Sequence, residues 1–248
     1  MDSMSSEPPL WVYGTHTVLE ALKNPRRRVI CVVATAPLER LPSKQDLFPY
    51  KDLFEVRDKA WFARLFGETA VHQGLCAQVM PFSPTSFESL LTPGPRACVL
   101  ALDQLTDPQN IGASLRSVAA LGGDAVLVPA HGAPPLTPAI SKSACGALEH
   151  VALLSVPNLA QALGRLKKAG YWCIGLASEE RHLFSELPEI ERAVMVVGGE
   201  GKGLRALTRK CCDFLVRLPT VPSFPTLNAA QSATIALYEW SRRQGGVR

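Results

Sequence analysis

"VMVVGGEGKGL", residues 194–204, sets four apolar residues before glycines at 198, 199, 201 and 203. An apolar run without polar alternation reads as a strand buried on both faces. The glycines permit positive φ and close approach of backbone to a ligand, and a helical pattern resumes in "LRALTRKC", 204–211. Strand, loop and helix in that order is one step of an alternating α/β chain with a covered parallel sheet. Two phosphate-binding loops are excluded by spacing. Lys202 is followed by Gly203, so GxxxxGK[ST] fails, and the alternation of Gly199, Gly201 and Gly203 is not GxGxxG. Alone, the loop reads equally well as a tight turn with Glu200 facing water.

The same alternation extends over the C-terminal part of the chain. "ACVLALDQL" (97–105), "DAVLVPA" (124–130), "WCIGLAS" (172–178), "AVMVVGG" (193–199) and "FLVRLP" (214–219) read as strands. "IGASLRSVAALG" (111–122), "PAISKSACGALEHV" (138–151) and "NLAQALGRLKKAG" (158–170) carry helical periodicity between them. Toward the N-terminus, "GTHTVLEALKN" (14–24) and "RDKAWFARLF" (57–66) read as helices, and "RVICVVAT" (28–35) and "GLCAQVM" (74–80) as strands. Between the two regions, "PFSPTSFESLLTPGPR" (81–96) holds four prolines, which favour extended backbone. The expected organisation is an α/β unit over 9–80, a linker over 81–96 and an α/β domain over 97–248.

Composition narrows the function classes. At 47% hydrophobic and 19% charged, with 18 Gly and 20 Pro, the chain is an ordinary turn-rich globular protein. A formal net charge of +4 is compatible with a polyanionic partner without requiring one. The seven cysteines form no CxxC pair and have no His at metal-ligand spacing, so they read as reduced thiols and no metal is expected. "MDSMSSEPPL" is not a secretory leader, and no apolar run reaches the roughly 18 residues of a membrane span. The cytoplasm is the expected location.

Ligands of open α/β sheets sit at the carboxyl ends of the strands, which directs attention to two further loops. In "DQLTDPQNIGASLRSVAALGG", 103–123, Asp107-Pro108 makes a turn and Asn110 stands six residues before Arg116. A helix beginning near Ile111 would place Asn110 at its N-cap and point Arg116 toward the strand ends. The alternative is a capped surface helix with a solvated arginine. In "LPTVPSFPTLNAAQSATIALYEW", 218–240, Pro219, Pro222 and Pro225 impose a stiff extended loop before a helix capped by Thr226 or Asn228.

Taken together, Asn110-Ile111-Gly112 with Arg116, Gly198-Gly199-Glu200-Gly201 with Gly203-Leu204, and Leu218-Pro219 with Leu227-Asn228 resemble the three motifs of the SpoU/TrmH family of RNA ribose 2′-O-methyltransferases. "SKSACGALEHV" (141–151) and "TIALYEWSRRQ" (234–244) are similar to that family too. "VYGTHTVLEAL" (12–22) and "HQGLCAQV" (72–79) resemble the small substrate-binding domain of the subgroup that methylates a guanosine of 23S rRNA. The resemblance implies a trefoil-knotted α/β fold (SPOUT), homodimerisation through the catalytic domain, and S-adenosylmethionine as cofactor. It places the cofactor at Leu176, Gly198, Gly199, Leu218 and Leu227, with Asn228 bridging to it. Arg116 would activate the ribose hydroxyl, with Asn110, Glu200, Thr226 and Asn228 orienting it and the ribose. A guanidinium is a poor base, so Arg116 acts either as that base or as a phosphate ligand that stabilises alkoxide charge.

The third motif departs from the family at Pro222, where a glycine is usual, and at Ala230, where a hydroxyl is usual. Either change is expected to alter cofactor affinity. For the RNA, "NPRRRV", 24–29, offers Arg26, Arg27 and Arg28 beside His16 and Lys23, as phosphate contacts or as a solvated face. Alternative functions are methylation of tRNA and RNA binding in ribosome assembly with weakened catalysis.

Overall fold

A computed structural model describes residues 8–246 except Glu200, Pro222 and Pro225. The N-terminal region runs through β1 (Leu10–Tyr13), α1 (Thr15–Lys23), β2 (Val29–Ala34), α2 (Lys44–Leu47), β3 (Phe54–Val56), α3 (Lys59–Phe66) and β4 (Leu75–Val79). Its four strands pair in the order β1-β4-β2-β3 around a small core that includes Val12, Val18, Val32, Leu75 and Val79. The connection over 81–96 is not wholly extended. Ser86 and Ser89 cap one turn of helix, α4 (Phe87–Leu90), with Ser89 N–H donating to Ser86 Oγ at 3.2 Å.

The second region continues with β5 (Ala97–Asp103), α5 (Pro108–Ala120), β6 (Ala125–Pro129), α6 (Pro138–Ala144), β7 (Ala152–Val156), α7 (Leu159–Lys168), β8 (Trp172–Leu176), β9 (Arg192–Gly198), α8 (Ala206–Cys211), β10 (Phe214–Val216) and α9 (Ala229–Arg243). Six parallel strands form one sheet, ordered β10-β8-β9-β5-β6-β7. Every residue of β5 is buried, and the pleat deals them to opposite layers. Cys98, Leu100 and Leu102 pack with α5, α6 and α9, whereas Ala97, Val99 and Ala101 pack with α7. Each buried leucine contributes roughly 1.5–3 kcal/mol of transfer free energy. Burial also raises the thiols of Cys98 and Cys173 well above the usual cysteine range, which keeps them protonated and unreactive.

Several boundaries differ from the sequence expectation. Helix α5 starts at Pro108 with Asp107 as its cap, accepting from Gln109 N–H at 3.0 Å; Asn110 is therefore inside the helix and not its N-cap. Proline at the first helical position and an Asp before it make the earlier start favourable. The helical pattern of 138–151 breaks after Ala144, because Cys145 (φ 50°) and Gly146 (φ 89°) are left-handed. The break serves close packing, since a Cβ on Gly146 would lie 2.5 Å from Cβ of Glu20 on α1.

That approach belongs to the junction between the two sheets' regions. Arg27 is buried there. Its Nη2 donates to Oε1 of Glu149 at 2.6 Å and its Nη1 to the Met80 carbonyl at 2.9 Å, and Asn24 Nδ2 reaches Oε2 of Glu149 at 2.8 Å. Both ion-pair side chains are at most 5% exposed. Arg27 is thus spent inside the protein and leaves the set of expected RNA contacts. Cutting one side of such a pair strands the other charge, so Arg27→Ala should cost about 3–5 kcal/mol in urea unfolding. It should also speed proteolysis within 81–96. An unfolding midpoint unchanged from the parent would show that the pair does not hold the two regions together.

Candidate active site

The carboxyl ends of β8, β9 and β10 open into a cavity of about 880 Å³. Its walls include Leu176, Gly198, Gly199, Leu218, Leu227 and Asn228, so all six residues expected at the cofactor share it. Thr226 lines it as well. The glycine loop is shaped as its composition requires. Gly203 N–H donates to the Gly199 carbonyl at 3.0 Å, and Gly201 and Gly203 take φ of 78° and 62°. Gly198 serves close packing instead: a Cβ there would sit 2.2 Å from the Gly203 carbonyl carbon.

Asn228 joins the third loop to the first. As N-cap of α9 it accepts from Ala230 N–H at 2.8 Å and Gln231 N–H at 3.4 Å through Oδ1. Its Nδ2 donates to Oδ1 of Asn110 at 3.0 Å. Asn228 rather than Thr226 is therefore the cap, and Thr226 is exposed at the rim. Ala230 is buried in the first turn, with its N–H satisfied by Asn228.

Arg116 is not brought to this cavity. It lies exposed on α5, its Nη1 3.8 Å from Sγ of Cys145, and is absent from the lining. Glu200 and Pro222 lie outside the described residues. On the N-terminal region, His16, Arg26 and Arg28 are exposed. The Arg26 guanidinium stands 4.9 Å from the centroid of the Phe82 ring, a cation–π distance.

The cavity also carries charged groups that pattern reasoning overlooked. Glu179 and Arg209 form an ion pair in its wall at 2.5 Å, and Lys202 and Arg217 line it too. A backbone N–H of its own and then the Arg209 guanidinium hold the Glu179 carboxyl below its usual range. Glu179 follows β8 as Gly199 follows β9, so its place after a strand end was the available signal. Among the described residues no three His, Cys, Asp or Glu side chains cluster in a way that could hold a metal ion.

Comparisons with known proteins bear on the family of the chain. The sequence model of the SpoU rRNA Methylase family matches residues 97–238, and that of RNA 2′-O ribose methyltransferase substrate binding matches residues 11–85. The 23S rRNA (guanosine-2′-O-)-methyltransferase RlmB of Pseudomonas putida is 41% identical over 179 residues, 70% of this chain and 72% of that protein. Its namesake in Pseudomonas aeruginosa is 37% identical over 239 residues, 94% of this chain and 96% of the other. In structure, the SpoU methyltransferase AviRb of Streptomyces viridochromogenes, solved in complex with AdoMet, superposes with a TM-score of 0.81 at 22% identity. That superposition covers 97% of this chain and 92% of AviRb. With one family model spanning more than half of its length, the chain belongs to the SpoU rRNA Methylase family.

Proposed function

We propose that the chain transfers a methyl group from S-adenosylmethionine to the 2′-hydroxyl of a guanosine in 23S rRNA, the reaction for which the two Pseudomonas relatives are named. The observation that carries this reading is the bond from Asn228 to Asn110, which ties the third motif to the first at the edge of the cavity. Size and chemistry suit the cofactor. Ligand pockets commonly enclose roughly 300–1,000 Å³; this one offers apolar walls at Leu176, Leu218 and Leu227, open backbone at Gly199, and the Glu179 carboxylate. The leucines would enclose the adenine, and Glu179 would accept from hydroxyl or ammonium groups. Bound there, S-adenosylmethionine supplies a methyl carbon activated for in-line displacement by its sulfonium.

Positioning then supplies the acceleration. Asn110 and Asn228 fix the loops that flank the acceptor ribose. Arg116 grips a neighbouring phosphate and stabilises the alkoxide that develops on the 2′-oxygen as the hydroxyl proton passes to water or to a phosphate oxygen, a role suited to a guanidinium that stays protonated. Glu200 would orient Arg116. Because Arg116 projects outside the cavity of its own chain, we read the active form as a homodimer in which a second copy brings this arginine. Ile235 and Tyr238 on α9, 40% and 55% exposed, offer apolar surface for that contact.

The division into residues 9–80 for RNA binding, 81–96 as connection and 97–248 for catalysis is supported by the separate four-stranded sheet. His16, Arg26 and Arg28 would meet phosphates. No helix among the described residues is long and apolar enough to cross a membrane, which accords with work on rRNA in the cytoplasm.

Labelled S-adenosylmethionine incubated with separate 23S rRNA and tRNA pools tests the reading directly. Label is expected in a 23S guanosine, whereas label confined to tRNA would replace the substrate and none in either would reject the activity. Arg116→Ala should lower kcat about 10²–10³-fold, the usual cost of removing one oxyanion ligand, and leave cofactor affinity unchanged. Mixing Arg116→Ala chains with Asn228→Ala chains should recover activity in heterodimers; no recovery would place both residues in one chain's site. A third variant separates the two tasks of Asn228. Asn228→Asp keeps the cap acceptor, so thermal stability should hold, but it loses the donor to Asn110 and activity should fall. Full activity would remove that bond from the catalytic arrangement.

A further inference from the structure

The central strand ends in a carboxylate that the reaction itself does not call upon. Asp103, the last residue of β5, is wholly buried and lies in register with Gly198. Its Oδ2 accepts from Arg205 N–H at 2.9 Å and its Oδ1 from Arg205 Nε–H at 2.7 Å. Desolvating a carboxylate costs several kcal/mol, and such pairs are often replaceable by apolar residues without loss of stability. A purely structural clasp for the glycine loop therefore needs only the backbone bond. The second bond does something else: it fixes the plane of the guanidinium.

We infer that Arg205, set by Asp103, is a docking point for an RNA phosphodiester beside the target nucleotide. Three observations converge on this. The Arg205 side chain is 45% exposed, and its bonds among the described residues, both to Asp103, use the backbone N–H and Nε rather than either Nη group. Gly203 and Leu204, directly before Arg205, line the cofactor cavity, so Arg205 is the next residue of the chain beyond its wall. Arg209, on the helix that follows, is by contrast committed to Glu179 and Glu180. A planar fork held at one edge and open at the other matches a phosphate's paired oxygens, and prior fixation reduces the entropy lost on binding.

The inference rests on the RNA methyltransferase reading and deepens it, and the test separates the two. Binding of a 23S rRNA transcript to the full chain is measured across a salt series, with cofactor affinity measured in parallel. Arg205→Ala is expected to weaken RNA binding and to reduce the slope of log K against log salt by up to about one. Arg205→Lys, which keeps the charge, should restore the slope, and cofactor affinity should match the parent in both. Because Arg205→Ala strands a buried carboxylate, the Asp103→Asn/Arg205→Gln pair provides a variant without that charge and should lose slope equally. An unchanged slope, or a loss of cofactor affinity with RNA binding intact, overturns the phosphate assignment and leaves Arg205 a loop support or cofactor ligand. A parent chain that binds and methylates no RNA would instead reject the function reading itself.

Discussion

A strand buried along its whole length leaves chemistry nowhere to go but its ends. From Ala97 to Asp103, β5 has parallel neighbours on both sides and packed helices on both faces. The slab is rigid, and its carboxyl rim is where backbone must turn away. Each family motif begins on that rim, after β5, β9 or β10. Strain collects there too. Gln104, one residue past β5, takes φ of 63°, and its carbonyl would lie 2.6 Å from any Cβ on Gly199. A left-handed non-glycine residue persists only where its surroundings over-determine it. Here the surroundings are the glycine loop, which Gln104 supports at one end and Asp103 grips at the other through Arg205. The glycine loop is thus shaped from beneath by two consecutive residues, the last of β5 and the one that follows it.

The three arginines of 26–28 show how one charge run divides its labour. Arg26 and Arg28 are exposed, and Arg27 is buried against Glu149 from the other sheet's region. A run of like charges reads as one solvated face only if every side chain points the same way. Two conditions break that here: Asn24 turns the chain by accepting from Arg26 N–H at 3.0 Å, and Glu149 waits across the junction. The same junction explains why the pattern of 138–151 stops as a helix. A continuous helix would carry Cβ atoms into α1, whereas the left-handed Cys145 and Gly146 bring the backbones together.

What was legible in the sequence follows from these causes. Strands buried on both faces, β5, β6, β8 and β9, announce themselves as apolar runs, and so the parallel sheet was readable. Strand β7 was not, because its position at the sheet edge leaves Leu153, Leu154 and Ser155 partly exposed and breaks the run. The short β1 and β3 were missed for lack of length. The cavity residues Leu176, Gly198, Leu218 and Leu227 came from motif resemblance; composition alone would have left each loop a plain turn. Glu179, Arg205 and Arg209 fell outside the motifs. Their roles depend on ion pairs whose partners lie 30 or 102 residues away, a separation that local pattern does not encode.

One side chain connects the cofactor loop to the surface on which a second copy would sit. Asn228 caps α9, lines the cavity and bonds Asn110 on α5. Seven and ten residues further along the same helix, Ile235 and Tyr238 face outward. Helix α9 is anchored to α5 again where Ser117 and Thr234 hydroxyls meet at 2.6 Å. A displacement of the cap would therefore move the helix pair as a body, carrying Arg116 on α5 with it. On the proposed reading, cofactor binding at one end and contact with a second copy at the other would act on this one helix pair, so the position of the Asn228 cap and the position of Arg116 are set together.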